Sequence, residues 1–238
     1  MTQTTYTKSL FNILNNTTET PTDIKMSSPM KISKKPNSAF SLPAGKDFSC
    51  IGETSACAKD CYARKGNHFR HGVQKNFLNN FLFLKEAEKN NDAQLAVDTI
   101  LKHIPENAAL MRIHESGDFY SQWYVNVWEQ VAIARPQTKF WFYTRSFDLD
   151  FSSISQLDNM ACWASTDGEN LKKAEEFVSA NKQFRHAYGP INDEDEGPEN
   201  TVICPATSGR LNVAGACSVC KLCVDKTKFK KHIGFKKH

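Results

Sequence analysis

The sequence predicts an α/β fold: a small or incomplete βα barrel with a mainly parallel sheet, and cysteine-rich metal sites at strand ends and near the C-terminus. Three observations lead there. Short apolar runs alternate with amphipathic segments from residue 109 onward, the pattern of strands joined by helical crossovers. Several runs end in polar, turn-forming segments, where parallel sheets place their ligands. The chain has 238 residues, 40% apolar and 24% charged, which suits one α/β domain or two small ones and is ample for a core.

The elements follow in order. Residues 1–36 are rich in Thr, Asn, Ser, Lys and Pro and read as a flexible N-terminal arm, with one short amphipathic stretch from Leu10 to Leu14. Residues 37–200 read as the α/β domain with the first cysteine group, and residues 201–238 as a second cysteine group with a basic tail. Ser41-Leu42-Pro43-Ala44-Gly45 is a turn-rich entry to the first group. The spacing of Phe77, Phe81 and Leu84 predicts a helix over 74–88. A second helix covers 93–103, with Leu95, Ile100 and Leu101 apolar, and Pro105 helps end it. Strands are expected at 109–113, 139–144, 160–164 and 183–188, separated by helices at 122–134, 154–157 and 170–180; a last strand is expected at 201–204.

Net charge is only +4, so bulk charge demands no nucleic-acid partner. The acidic run Asp193 to Glu196 and the basic run Lys226 to His238 read first as solvated surface. No charged-then-apolar leader opens the chain and no apolar run approaches membrane-span length, so a cytoplasmic protein without a membrane partner is expected. Thiols stay reduced in that compartment, so eight cysteines point to metal rather than disulfides.

Cys217-x2-Cys220-x2-Cys223, preceded by Cys204-Pro205, matches the ligand run of bacterial ferredoxins, which also take a remote Cys followed by Pro. Four thiolates complete a closed iron–sulfur cluster; a structural zinc site accepts the same four. Cys50-x6-Cys57-x3-Cys61 offers three thiolates. A three-thiolate cluster leaves one iron open to a substrate or cofactor. With His68 or His71 as fourth ligand, the same group makes a zinc site. Cys162, alone in an apolar strand, reads as a small buried hydrophobe.

Arg112-Ile113-His114-Glu115-Ser116-Gly117-Asp118-Phe119 follows a strand and opens a helix. It reads as a polar pocket able to grip an amine or hydroxyl-bearing ligand, or as a turn in which Asp118 or Ser121 caps the helix. Thr144-Arg145-Ser146 and Ser165-Thr166-Asp167 end the next strands, with Asp167 read as a helix N-cap and His186 as a satisfied histidine. The tail around Phe229 offers phosphate contacts and a stacking ring to nucleic acid, helped by Trp123 and Tyr124 if they are exposed.

Several of these strings resemble the phage "gene product eighty-eight" family. They are Leu42-Pro43-Ala44-Gly45 before Cys50, Cys57-x3-Cys61-Tyr62-Ala63, Ser116-Gly117-Asp118-Phe119 with Trp128, the run Phe140 to Ser146, Cys204-Pro205 and the closing cysteine triplet. They span about residue 35 to the C-terminus, and the family implies little about activity. If phage-encoded, the protein is expected in the host cytoplasm. The chain is more distantly similar to radical S-adenosylmethionine enzymes, which use a partial βα barrel, three cysteines on one 4Fe–4S cluster and often an auxiliary cluster. That resemblance implies a reactive cluster on Cys50, Cys57 and Cys61, and a structural or electron-relaying one on Cys204, Cys217, Cys220 and Cys223. It also implies that Glu115, Ser116, Gly117 and Asp118 sit where such enzymes grip the methionyl amine. The spacing differs, being x6 and x3 here against x3 and x2 there.

Together these readings give an iron–sulfur protein with Glu115, Asp118 and Arg145 as candidate catalytic residues and Arg112, Ser116 and Gly117 as candidate cofactor-binding ones. The substrate or electron donor is not identified. A non-enzymatic electron carrier and a zinc-stapled module for nucleic acid or protein remain as alternatives.

Overall fold

The computed structural model describes residues 3–27, 38–192, 194–226 and 230–237. Seven strands form one sheet: β1 (Ser38–Phe40), β2 (Leu110–Ile113), β3 (Lys139–Thr144), β4 (Met160–Thr166), β5 (Phe184–Ile191), β6 (Thr201–Ile203) and β7 (His232–Lys236). Every pairing is parallel, in the order β1-β2-β3-β4-β5-β7-β6. The expectation of an α/β fold on a parallel sheet is met. The sheet is open, with the three-residue strands β1 and β6 at its edges, so no barrel closes.

Eight α-helices accompany it among the described residues: α1 (Gln3–Asn15), α2 (Ser55–Asp60), α3 (His71–Lys89), α4 (Ala93–Lys102), α5 (Gln122–Ala134), α6 (Ser152–Gln156), α7 (Leu171–Ala180) and α8 (Ala216–Cys220). Because strand side chains alternate faces, Phe40, Met111, Ile113, Phe140, Phe142, Cys162 and Phe184 meet α3 to α7 in one core. Aromatic residues dominate it: Phe142 lies 5.0 Å from Phe119 and 5.6 Å from Phe151, centroid to centroid. Cys162 is 1% exposed there, as its reading as a hydrophobe required. Ser121 caps α5 by accepting from the Tyr124 amide, so the cap is Ser121 and not Asp118.

The other face, with Ala39, Leu110, Trp141 and Trp163, is covered by the C-terminal segment through Val224, Leu222 and the late cysteines. Helices α3 to α7 cover one face and the C-terminal segment with α8 covers the other, and the C-terminal ends of the strands form the mouth referred to below.

The N-terminal arm gains a helix, and two expectations change, the last strand and the aromatic surface. Within the arm, residues 3–15 are helical; Tyr6, Leu10 and Ile13 recur at helical spacing and pack against Leu78 of α3. The basic tail contains β7, so Thr201–Ile203 is not the last strand. Ile233 and Phe235 alternate with polar residues, and β5 and β6 supply ladder partners on both sides. Phe229 lies outside the described residues, and His232–Lys236 forms a strand of the sheet. Tyr124 is buried and Trp123 packs against the core, so they form no aromatic surface.

Candidate functional site

The first cysteine group hangs from the C-terminal end of β1. The chain turns at Ser41 to Gly45, and the Gly45 carbonyl accepts the amides of Phe48 and Cys50, both at 3.0 Å. Cys57 lies on α2, and Cys61 follows that helix directly. Three of the amides that open α2 are satisfied by side chains, as a helix start requires. Thr54 Oγ1 accepts from Cys57 N at 3.0 Å, and the Glu169 carboxylate accepts from Ser55 N and Ala56 N, both at 3.0 Å. The Thr54 hydroxyl itself donates to Asp167 Oδ2 at 2.6 Å, and the same oxygen pairs with Arg145 Nη1 at 2.6 Å. Asp167 Oδ1 accepts from the amides of Glu169 at 2.9 Å and Asn170 at 3.2 Å, the capping pattern expected of it, in the turn just ahead of α7, whose N-cap position is Asn170, while its Oδ2 ties α2 to the ends of β3 and β4.

The loop from Cys50 to Cys57 lies directly on Arg145. A Cβ on Gly52 would stand 2.0 Å from the Arg145 carbonyl oxygen, so only glycine permits this approach. On the other side, Arg64 forms a buried ion pair with Glu53. Burial pushes the Cys50 thiol well up, and the Asp118 charge adds to it. Burial likewise raises Cys57 to about 11, with Arg145 opposing, and raises Cys61, with Arg64 opposing. The charges of Cys57 and Cys61 add to the rise at Cys50, and that of Cys61 to the rise at Cys57. Metal-free, the three thiols hold their protons at neutral pH, so a metal entering here must displace them.

The end of β2 supplies the other wall. His114 adopts φ 66°, and its Nε2 lies 2.9 Å from the Tyr124 hydroxyl. Burial lowers its pKa to about 3, with the Arg112 charge assisting, so it stays neutral. Gly117, at φ 87°, passes so close to β1's exit that a Cβ would meet Ser49 Oγ at 2.6 Å and Leu42 Cβ at 2.7 Å. Asp118 uses both oxygens on the main chain: Oδ1 accepts from Phe119 N at 2.7 Å and Oδ2 from Arg145 N at 2.8 Å. Its pKa rises to about 6 through burial, against the pull of those bonds. Glu115 differs. Among the described residues its oxygens make long contacts, 3.4 Å each, to His68 Nε2 and Ser27 Oγ. Ser116 is 2% exposed, and its Oγ has no partner among the described residues. The Arg112 guanidinium donates to Tyr62 Oη at 3.0 Å and to the His114 carbonyl at 3.0 Å.

The fold thus gathers Arg112, Glu115, Ser116, Gly117, Asp118 and Arg145 at the mouth with Cys50, Cys57 and Cys61. His68 reaches the mouth, whereas His71 is exposed at the start of α3. His186 is the satisfied histidine expected, with Nδ1 3.0 Å from Thr166 Oγ1 and its ring stacked on Tyr188. Sequence reasoning missed Glu53, Thr54, Tyr62, Arg64 and Glu169. Only Thr54, three residues before Cys57, carried a local signal, that of an N-cap.

The second group lies across the other sheet face. Cys204 follows β6, Cys217 and Cys220 lie on α8, and Cys223 follows it. Gly215 (φ 72°) and Lys221 (φ 57°) bound α8 and wrap this short stretch around its sulfurs. All four cysteines line one cavity of about 20 Å³ with Trp141 and Ile233. Trp163 Nε1 donates to the Cys223 carbonyl at 2.9 Å, and Tyr143 and Cys223 pack in the same apolar clusters. Burial raises the Cys223 thiol to about 12; Tyr143 opposes this, and the other three thiols add to it.

None of the eight cysteines is in a disulfide. The donor chemistry suits thiolate-bound metal at both places. Among the described residues, however, no group of three or more His, Cys, Asp and Glu side chains is arranged to hold a metal ion. The four-thiol cavity is also smaller than a four-iron cluster.

No helix among the described residues is long and apolar enough to cross a membrane. No solved structure matches the chain. The gene 88 protein of Mycobacterium phage L5 is 32% identical, over 79% of this chain and 82% of its own length. The gene 88 protein of Mycobacterium phage D29 is 28% identical, over 80% and 84%. A sequence model of the family described as gene product 88 matches residues 7–226, from the first helix past the last cysteine, and the chain belongs to that family.

Proposed function

We propose that this chain is an iron–sulfur protein of the host cytoplasm, with an open site at the strand mouth and a closed site under the C-terminal segment. The observation that carries this reading is that seven of the eight cysteines, none in a disulfide, fall into two groups along the chain, four of them on a single cavity. At the mouth, a cluster on Cys50, Cys57 and Cys61 would supply an open iron and a reducing electron to a bound ligand such as S-adenosylmethionine. Around it, the chain's own groups divide the work. Asp118 and Asp167 hold Arg145 and α2 in place. Glu115, which forms no ion pair with an arginine among the described residues, is the carboxylate assigned here to a ligand's ammonium group. Ser116 Oγ, buried and unpartnered among the described residues, is a hydrogen-bonding group available to the same ligand.

A second reading is favoured by one measurement. The 20 Å³ cavity, about the room of one water molecule, suits a single zinc ion on Cys204, Cys217, Cys220 and Cys223 better than a cluster. Substrate, electron donor and any reaction stay with the proposal.

Glu115→Ala tests the mouth assignment. It is expected to leave iron and sulfide content unchanged and to abolish S-adenosylmethionine binding measured by calorimetry. Unchanged binding in the variant would remove Glu115 from the site, and absence of binding in the wild type would favour the simple electron carrier.

A further inference from the structure

Between Asp60 and Glu86 the chain carries no Asp or Glu but five basic residues, Arg64, Lys65, Arg70, Lys75 and Lys85. Two of them are neutralised, Arg64 by Glu53 and Lys85 by Glu88. Lys65, Arg70 and Lys75 are exposed, and among the described residues none of the three forms an ion pair. The net charge of +4 therefore hides a local excess of positive charge.

The fold keeps these cations on one compact stretch. Two 3₁₀ turns, Tyr62–Arg64 and Gly66–Phe69, run into α3. Lys65 joins the turns, Arg70 is the N-cap residue of α3, and Lys75 lies in its second turn. His68 N donates to the Lys65 carbonyl and Arg70 N to the Asn67 carbonyl, both at 3.2 Å. Gly66 and Gly72 stand in the open, since a Cβ on either would meet nothing within 4 Å. The carboxylates that touch this stretch have partners: Glu53 pairs with Arg64, Asp60 lies 3.4 Å from Lys237, and Glu115 lies 3.4 Å from His68. Tyr62 adds a ring that is 39% exposed. Its hydroxyl fixes it, donating to the Glu115 carbonyl and accepting from Arg112 Nη2 at 3.0 Å. The arrangement costs stability. Arg70 gives α3 no side-chain cap and the first turn holds no acid, although the positive end of a helix dipole favours Ser, Asp or Glu there.

We propose that this patch is a binding surface for single-stranded nucleic acid, with Lys65, Arg70 and Lys75 on phosphates and the Tyr62 ring under a base. A phosphate backbone supplies the counter-charges that the surrounding side chains do not, and an exposed ring stacks on any base. Neither cysteine group need hold metal for this, so the proposal stands or falls apart from the iron–sulfur reading.

The test is fluorescence anisotropy on the full-length protein, with labelled oligothymidylate and oligouridylate of about 15 nucleotides, across about 50 to 200 mM salt. Both strands are expected to bind, with affinity falling as salt rises. Lys65→Gln, Arg70→Gln and Lys75→Gln are each expected to weaken binding and to lower the slope of log affinity against log salt by about 0.7. Tyr62→Leu is expected to lose roughly tenfold in affinity with the slope unchanged, and Tyr62→Phe to bind as the wild type does. If Tyr62→Leu does not fold, the three exposed cations still carry the test. Arg70→Ser is expected to raise the urea midpoint, by capping α3, while it weakens binding; an arginine with a purely structural role would lose stability instead. Lys173→Met, in an exposed pair with Asp148, is expected to change nothing. No binding at the lowest salt, or unchanged binding when Lys65, Arg70 and Lys75 are all replaced by Gln, overturns the proposal. So does loss of binding in Lys230→Gln with Lys231→Gln instead, or equal affinity for duplex DNA or phosphatidylserine vesicles.

Discussion

Cys217→Ser is expected to strip most of the metal from the C-terminal site and to unfold the segment from 204 to 226 from its sheet face. The reason lies in how little else holds that segment. α8 has five residues, and the segment's contacts with the sheet run through a few side chains, Val224, Leu222 and Cys223 among them. Structural zinc in comparable small sites contributes ~10–16 kcal/mol to folding, far more than those contacts can. Thermal unfolding with and without a chelator should therefore differ strongly for the wild type and little for the variant. Full metal content in the variant would take Cys217 out of the ligand set.

Asp118→Ala is expected to be the most damaging single change at the mouth, and to act on stability before chemistry. The carboxylate satisfies the amides of Phe119 and Arg145, both held between packed strand ends. A buried donor left without its acceptor costs ~1–3 kcal/mol, so the loss should reach ~2–6 kcal/mol for the two. Arg145 would also lose its hold on Asp167 and, through Thr54, on α2 and Cys57. Asp118→Asn keeps one acceptor and should lose about half as much. Urea denaturation measures both; a loss below ~1 kcal/mol for the alanine variant would show that these loops are held by other contacts.

Long periodic elements were legible in the sequence. The helix over 122–134 and the strand over 139–144 form over those residues, because burial of Val125, Trp128 and Val131, and of Phe140 and Phe142, matches their periods. β7 was not legible, since Gly234 and its flanking lysines and histidine look like tail until β5 and β6 offer partners. Nor was α1, where polar residues dilute Tyr6, Leu10 and Ile13. At the site, spacing alone identified the cysteines as two groups. Their anchors were invisible, because Glu169 reaches Ser55 across 114 positions and Asp167 reaches Thr54 across 113. Asp118 carried the right residue type in the right turn, but its bonds to main-chain amides belong to the tertiary structure. What looked like a chemical group is, in its contacts, a brace.

Metal and acid-labile sulfide content, with a visible spectrum, on protein purified without oxygen tests the central claim most directly. About eight irons with matching sulfide, for two four-iron clusters, and a brown colour are expected. Colourless protein with about two zincs and no sulfide, one per four-ligand site, would contradict it.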